Sequence, residues 1–178
     1  DAAAAMGPDD AATLDTLGVV YTQANEHAKA IALFEHAARK LPGHAAYRFN
    51  LGTSHTFLGQ LDQAEREYEA CLARDPGHGK AHLALALYHA EIVGKVGGML
   101  ATLTYGAKAS TAEDLLKAAA KLTPDAPIVY VEQANALLLL HGDKREDDAA
   151  AAYAKAAKLK PIDAMQALDI AFAKEQLG

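Results

Sequence analysis

"LGVVYTQANEHAKAIALFEHAARKLPGH", Leu17 to His44, laid over "LGTSHTFLGQLDQAEREYEACLARDPGH", Leu51 to His78, decides the fold. The offset is 34 residues throughout: Leu17-Gly18 falls on Leu51-Gly52, Ala30 on Ala64, Phe34 on Tyr68, Ala37 on Cys71 and Pro42 on Pro76. A period of this length marks one supersecondary unit repeated, which cannot bury its apolar face alone and must stack on its neighbours. The same phases continue through Ala86, Ala112, Leu116, Ala119 and Pro124, and again through Ala134, Ala149, Tyr153, Ala156 and Pro161.

Each slot has a physical reason. Gly18, Gly52, Ala86 and Ala134 let two helices approach closely, and Ala30, Ala64, Ala112 and Ala149 do so from the second helix. Phe34, Tyr68, Leu116 and Tyr153 fill the remaining space, and the prolines end one helix and aim the next. Composition agrees. Alanine and leucine far outnumber valine and isoleucine, aromatics make up 6%, and tryptophan is absent, which favours helix over sheet.

Over residues 11–78 the pattern resembles the tetratricopeptide repeat, a 34-residue helical hairpin. The resemblance implies an all-α solenoid of about four hairpins over residues 11–161, whose first helices line a concave face, and a capping helix over 162–178. Ile162, Met165, Leu168 and Phe172 stand at helical spacing in that last segment and are expected to be its packing face. Residues 1–10 read as a disordered lead-in. The sequence departs from the family where an aromatic usually opens the first helix: Leu14, Arg48, His82 and Tyr130 stand there. The second half is also similar to bacterial repeat proteins.

One segment breaks the period. The closing prolines at 42, 76, 124 and 161 are spaced by 34, 48 and 37, so the third hairpin carries 14 residues more than the first and the fourth 3 more. "STAED" from Ser110 offers a capping serine with Glu113 three positions on, which places the second helix there and the excess at about 92–106. A straight extension of the first helix would add about 21 Å. The five residues Gly106 to Ser110 reach back only about 17 Å. A break near Gly94–Gly98, a short helix over Met99–Thr104 and a turn at Gly106 are therefore expected. Met99, Leu100, Leu103 and Tyr105 would then form a flap over the groove, a contact for a second copy, or extra core.

The net charge of −6 argues against nucleic acid as a partner. No apolar run reaches the roughly 18 residues of a membrane span. A single cysteine, Cys71, excludes an internal disulfide and multi-cysteine metal sites; standing in an alanine slot, it should be buried and inert. It fits a reducing compartment, so a cytoplasmic location is favoured, or a periplasmic one if a signal peptide preceded Asp1. "PGHGKAH" and "GKVGG" lack the residues and the strand context of a phosphate loop. The histidines, His82 and His89 included, are expected to be interior or groove-lining, and neither metal, cofactor nor catalytic set is expected.

Binding is the stronger expectation. The resemblance implies a peptide along the concave face, and projecting the repeat phases places Phe49, Asn50, Thr53, Lys80, Leu83, Leu87, Glu132 and Asn135 there, with Asp15 and Val19 beside them. Some family members clamp a C-terminal carboxylate with two lysines, two asparagines and an arginine. Asn50 and Lys80 match that set, whereas Asp15, Val19 and Ala84 do not, and Asp15 would repel a carboxylate. The mixture suits an apolar segment oriented by side-chain amides. The expected function is a noncatalytic protein-interaction module for a peptide or helix of a partner. The alternatives are a scaffold that self-assembles through the Gly94–Gly106 insert, and an accessory protein closing a pocket for a small ligand over His82 and His89.

Overall fold

The computed structural model describes residues 10–178, and among these all regular structure is helical. The chain divides into two compact units, one ending at Ala81 and one running from His82 to Gly178.

The first unit holds two helical hairpins, α1 (Ala11–Gln23) with α2 (His27–Lys40), and α3 (Ala45–Phe57) with α4 (Leu61–Arg74). Of the expected lead-in, residues 1–9 lie outside the described residues. Asp10 is structured: its Oδ1 accepts from the backbone N–H of Ala12 at 2.9 Å and of Thr13 at 3.1 Å, capping α1. The two hairpin turns use the same left-handed position, Asn25 with φ +60° and, 34 residues on, Gly59 with φ +70°. α2 and α4 end two residues before Pro42 and Pro76.

The repeat slots pack as small against large. A Cβ built on Gly18 would stand 2.5 Å from Phe34 Cε1, and one on Gly52 would stand 2.6 Å from Tyr68 Cε1. Glycine there is a requirement of close approach. Ala30, Ala64, Phe34, Leu51 and Cys71 are all buried. Where the family carries an aromatic, Arg48 instead reaches from α3 to Glu67 of α4, Nη1 to Oε2 at 3.0 Å, with both side chains half-buried.

In the second unit, α5 (Gly79–Val96, in this unit from His82) is followed by α6 (Gly98–Tyr105), α7 (Ala109–Leu122), α8 (Pro127–His141), a 3-10 turn at Gly142–Arg145, α9 (Glu146–Lys158) and α10 (Ala164–Glu175). Ala86 and Ala90 of α5, Ala112 and Leu116 of α7 and Ala136 of α8 form one core. Val131, Ala134 and Leu137 of α8, Ala149, Tyr153 and Ala156 of α9 and Ala173 of α10 form another.

Each glycine of the long segment has a different task. Gly94 stays inside α5, and its missing Cβ admits Leu139 of α8, whose Cδ1 would lie 2.7 Å from it. Gly97, with φ +81°, ends the helix, and Gly98 begins α6. Gly106, with φ +67°, closes α6 in the left-handed conformation.

Two expectations are overturned. Ser110 is not a cap: α7 starts at Ala109 with Lys108 at the N-cap and no side-chain capping bond. Glu113 is drawn elsewhere, accepting from His141 at 2.9 Å. The expected packing face of the last helix points the other way. Ile162, Met165, Leu168 and Phe172 are exposed, while Ile170 and Ala173 are buried. The helix has apolar residues on two sides, and periodicity cannot say which side meets the chain.

Candidate functional site

The first helix of each hairpin carries the candidate binding residues. In the first unit, Asn50 Nδ2 donates to Asp15 Oδ1 across 2.8 Å, tying α3 to α1. Thr53 Oγ1 donates back to the Phe49 carbonyl at 3.0 Å. Phe49 is half-buried between Tyr68 and His78, with ring centroids 5.8 and 4.8 Å away. A depression of about 140 Å³ opens there, lined by Val19, Thr22, Gln23, Phe34, Asn50 and Thr53. Phe49 therefore supports the site from behind rather than lining it. Lys80 is exposed.

In the second unit, Asn135 of α8 is fixed from two sides. Its Oδ1 accepts from the Tyr153 hydroxyl at 2.6 Å, and its Nδ2 donates to Glu132 at 3.3 Å. Burial raises the pKa of Glu132, the hydrogen bond from Asn135 lowers it, and the charges of Asp169 and Glu91 raise it further. The net result is a carboxyl held above its ordinary range. Leu87 is half-buried, but Leu83 packs against the Ala86–Leu116 core and is spent on folding.

The insert residues are turned outward. Met99 is 82% exposed and Leu103 79%, and Leu100 and Tyr105 are exposed too, while Ala101 and Ala107 are buried. The reading of α6 as added core fails for these four side chains, because the small alanines make its contact.

The remaining groups behave as core. His89 is buried, and burial pushes its pKa down, which keeps the imidazole neutral. His27 is buried with its ring stacked on Phe57 at 4.5 Å. Burial pushes the Cys71 thiol up to about 11, removing thiolate at neutral pH. Among the described residues, no group of three or more His, Cys, Asp or Glu side chains is placed to hold a metal ion. Also among them, no helix is long and apolar enough to cross a membrane.

One feature was not anticipated from the sequence. A cleft of about 210 Å³ lies beside α7, α8 and α9, with Gln133, Leu137 and Ala152 among its lining residues and Glu113, Lys117, Arg145, Asp148 and Lys155 charged around it. Glu113 accepts from His141 Nε2 at 2.9 Å and pairs with Arg145 Nη1 at 3.5 Å; Arg145 Nε also pairs with Asp148. The only sequence signal was the dense charge of "HGDKREDD". Glu113, Arg145 and Asp148 are thus paired with one another, while Lys117 pairs with Asp114 outside the cleft.

Residues 49–92 match a tetratricopeptide-repeat family model. A comparison with curated proteins finds no sequence match. Among solved structures, the chain is similar to TTC0263, a thermophilic TPR protein of Thermus thermophilus, with a TM-score of 0.65 and 18% identity over 93% of this chain and 99% of that one. It is also similar to MamA, with a TM-score of 0.63 and 17% identity over 83% of this chain and 77% of that one. At such identities the likeness speaks for the fold, and the 34-residue pattern of Leu17 to His78 speaks for the repeat. Residues 49–92 thus carry the match to the tetratricopeptide repeat, and the chain has an all-α fold like that of the tetratricopeptide-repeat proteins to which it is similar.

Proposed function

We propose that this protein binds a peptide or helix of a partner protein along the faces of its first helices, by complementarity alone and without chemistry. One observation carries the reading: the amides on these faces are locked in place before any partner arrives. Asn50 is held by Asp15 and Asn135 by Tyr153 and Glu132, which lowers the entropy lost when a segment is bound. Asn135 retains one amide hydrogen for a partner, and Leu87 with the depression at Val19 and Thr53 supplies apolar contact. The carboxyls around Glu132 favour a segment with a basic residue over one ending in a carboxylate.

Selection of displayed peptides on the intact chain tests this. Enriched sequences should combine aliphatic residues with a lysine or arginine. Leu87→Asp, Asn135→Ala and Asn50→Ala should each weaken the selected peptides while circular dichroism stays unchanged. Retained affinity in all three folded variants would remove the first-helix faces as the site.

The exposure of Met99, Leu100 and Leu103 favours a second reading, in which α6 is a contact between copies of the chain. Light scattering on the wild type and on Leu103→Asp separates the two, since a concentration-independent monomer leaves α6 no such task.

A further inference from the structure

Gln133 stands where the other hairpins carry leucine. It precedes Ala134 as Leu51 precedes Gly52 and Leu85 precedes Ala86, and those two leucines are only 1% and 6% exposed. Gln133 is half-buried on α8, lines the cleft beside α7, α8 and α9, and has no hydrogen-bond partner among the described residues. An amide drawn away from water without a partner costs free energy that a leucine at this place would not.

The charges of the cleft can be matched one by one. Glu113 pairs with His141 and Arg145, Arg145 with Asp148, and Lys117 with Asp114. Of the charged lining side chains only Lys155 has no ionic partner among the described residues; its Nζ lies 5.8 Å from the centre of the Tyr130 ring. Tyr130 and Gln133 are three residues apart on α8 and share one face of that helix. The Lys155 ammonium and the Gln133 amide therefore stand on the same side of the cleft. Leu116, Leu137 and Ala152, all buried, give it an apolar lining.

We propose that this cleft binds a small monocarboxylate with a short aliphatic body. The carboxylate accepts from the Lys155 ammonium and the Gln133 amide N–H, and the body lies against Leu116, Leu137 and Ala152. One unmatched cation calls for one negative charge. A dicarboxylate would set its second charge beside Glu113 and Asp148. The volume of about 210 Å³ is below the roughly 300–1,000 Å³ of pockets for drug-sized ligands, which limits the occupant to a few carbons. The cleft shares no residue with the first-helix contacts proposed above, so the two readings stand or fall separately.

Isovalerate is the probe, followed by two-dimensional amide NMR of the full chain. Saturable shifts are expected at backbone amides of α7, α8 and α9. Isovaleramide, the neutral counterpart, should bind about tenfold or more weakly, as should isovalerate to Lys155→Gln. Gln133→Leu should weaken isovalerate to a similar degree and leave the fold intact, because it restores the residue of the other hairpins. Lys155→Arg keeps the charge and should retain binding, and Asn50→Ala should leave it unchanged. Shifts that do not saturate, equal affinity for acid and amide, or indifference to either Lys155→Gln or Gln133→Leu would each overturn the proposal. Tighter binding of an acetylated tripeptide ending in a free valine carboxylate would overturn it too, by giving the cleft to the end of a polypeptide.

Discussion

The hairpins of the first unit and those of the second meet the same problem, two helices in close approach, with different pairs of residues. In the first, glycine lies under a ring: Phe34 over Gly18 and Tyr68 over Gly52. In the second, alanine faces Leu116 or Tyr153. The small residue decides where the large one goes. Over glycine, the Tyr68 hydroxyl reaches along the first helix to Thr56, 3.0 Å away. Beside alanine, the Tyr153 hydroxyl turns to Asn135, the residue next to the slot, at 2.6 Å. A methyl group in the second unit thus brings an aromatic hydroxyl to a residue of the candidate binding face.

The comparison is broken most severely by removing the large partner. Phe34→Ala should lower stability by about 3–5 kcal/mol in urea unfolding, because Phe34 is buried and the rigid helices around it collapse only partly. Gly18→Ala should cost about 1–3 kcal/mol, since its methyl would overlap the Phe34 ring. The double variant Gly18→Ala/Phe34→Leu copies the Ala86–Leu116 pairing, and its cost should fall below the sum of Gly18→Ala and Phe34→Leu by at least about 0.5 kcal/mol. Strict additivity would mean that slot and ring are not coupled.

These slots were legible because small and large residues recur at one interval and their volumes leave few arrangements. Gly97, with φ +81°, ends α5. What the pattern could not carry is engagement. Nothing in the chain announces that Asn50 will be held by Asp15, 35 residues away, or that Leu83 will join a core instead of a groove. The cleft around Glu113 and Arg145 draws on positions outside the repeat phases altogether. α10 shows a different limit. A first helix has two apolar sides, and the sequence names the residues of each without saying which one the stack will cover.

A smaller effect tests the electrostatics of the second unit. The Glu132 pKa is raised on folding, by burial first and by Asp169 and Glu91 after it. The native state then holds the Glu132 proton more tightly than the unfolded chain does. Its contribution to stability is full below the unfolded value and is lost as pH rises through the folded one. Glu132→Gln should therefore unfold at an equal or higher temperature than the wild type at pH 7. The difference should move in the wild type's favour as the pH falls towards about 4. A Tm difference that does not change over that range would show that Glu132 keeps its ordinary pKa. If Glu132→Gln also weakens basic peptides at pH 7, the cost of holding this carboxyl is the counterpart of its use.

The smallest effect separates a local signal from a tertiary one. "STAED" has the composition of a capping box, yet Ser110 lies inside α7, whose N-cap is Lys108. Ser110→Ala should then change stability by no more than about 0.5 kcal/mol, the range of an ordinary surface substitution, where loss of a true cap would cost about 1 kcal/mol. Glu113→Gln should cost more than Ser110→Ala, because Glu113 is the half-buried acceptor that joins His141 and Arg145 to α7. The cost should shrink in high salt, as ion pairs do and caps do not. The reverse order of the two variants would return the helix start to Ser110 and leave the cleft as a feature of side chains that happen to meet.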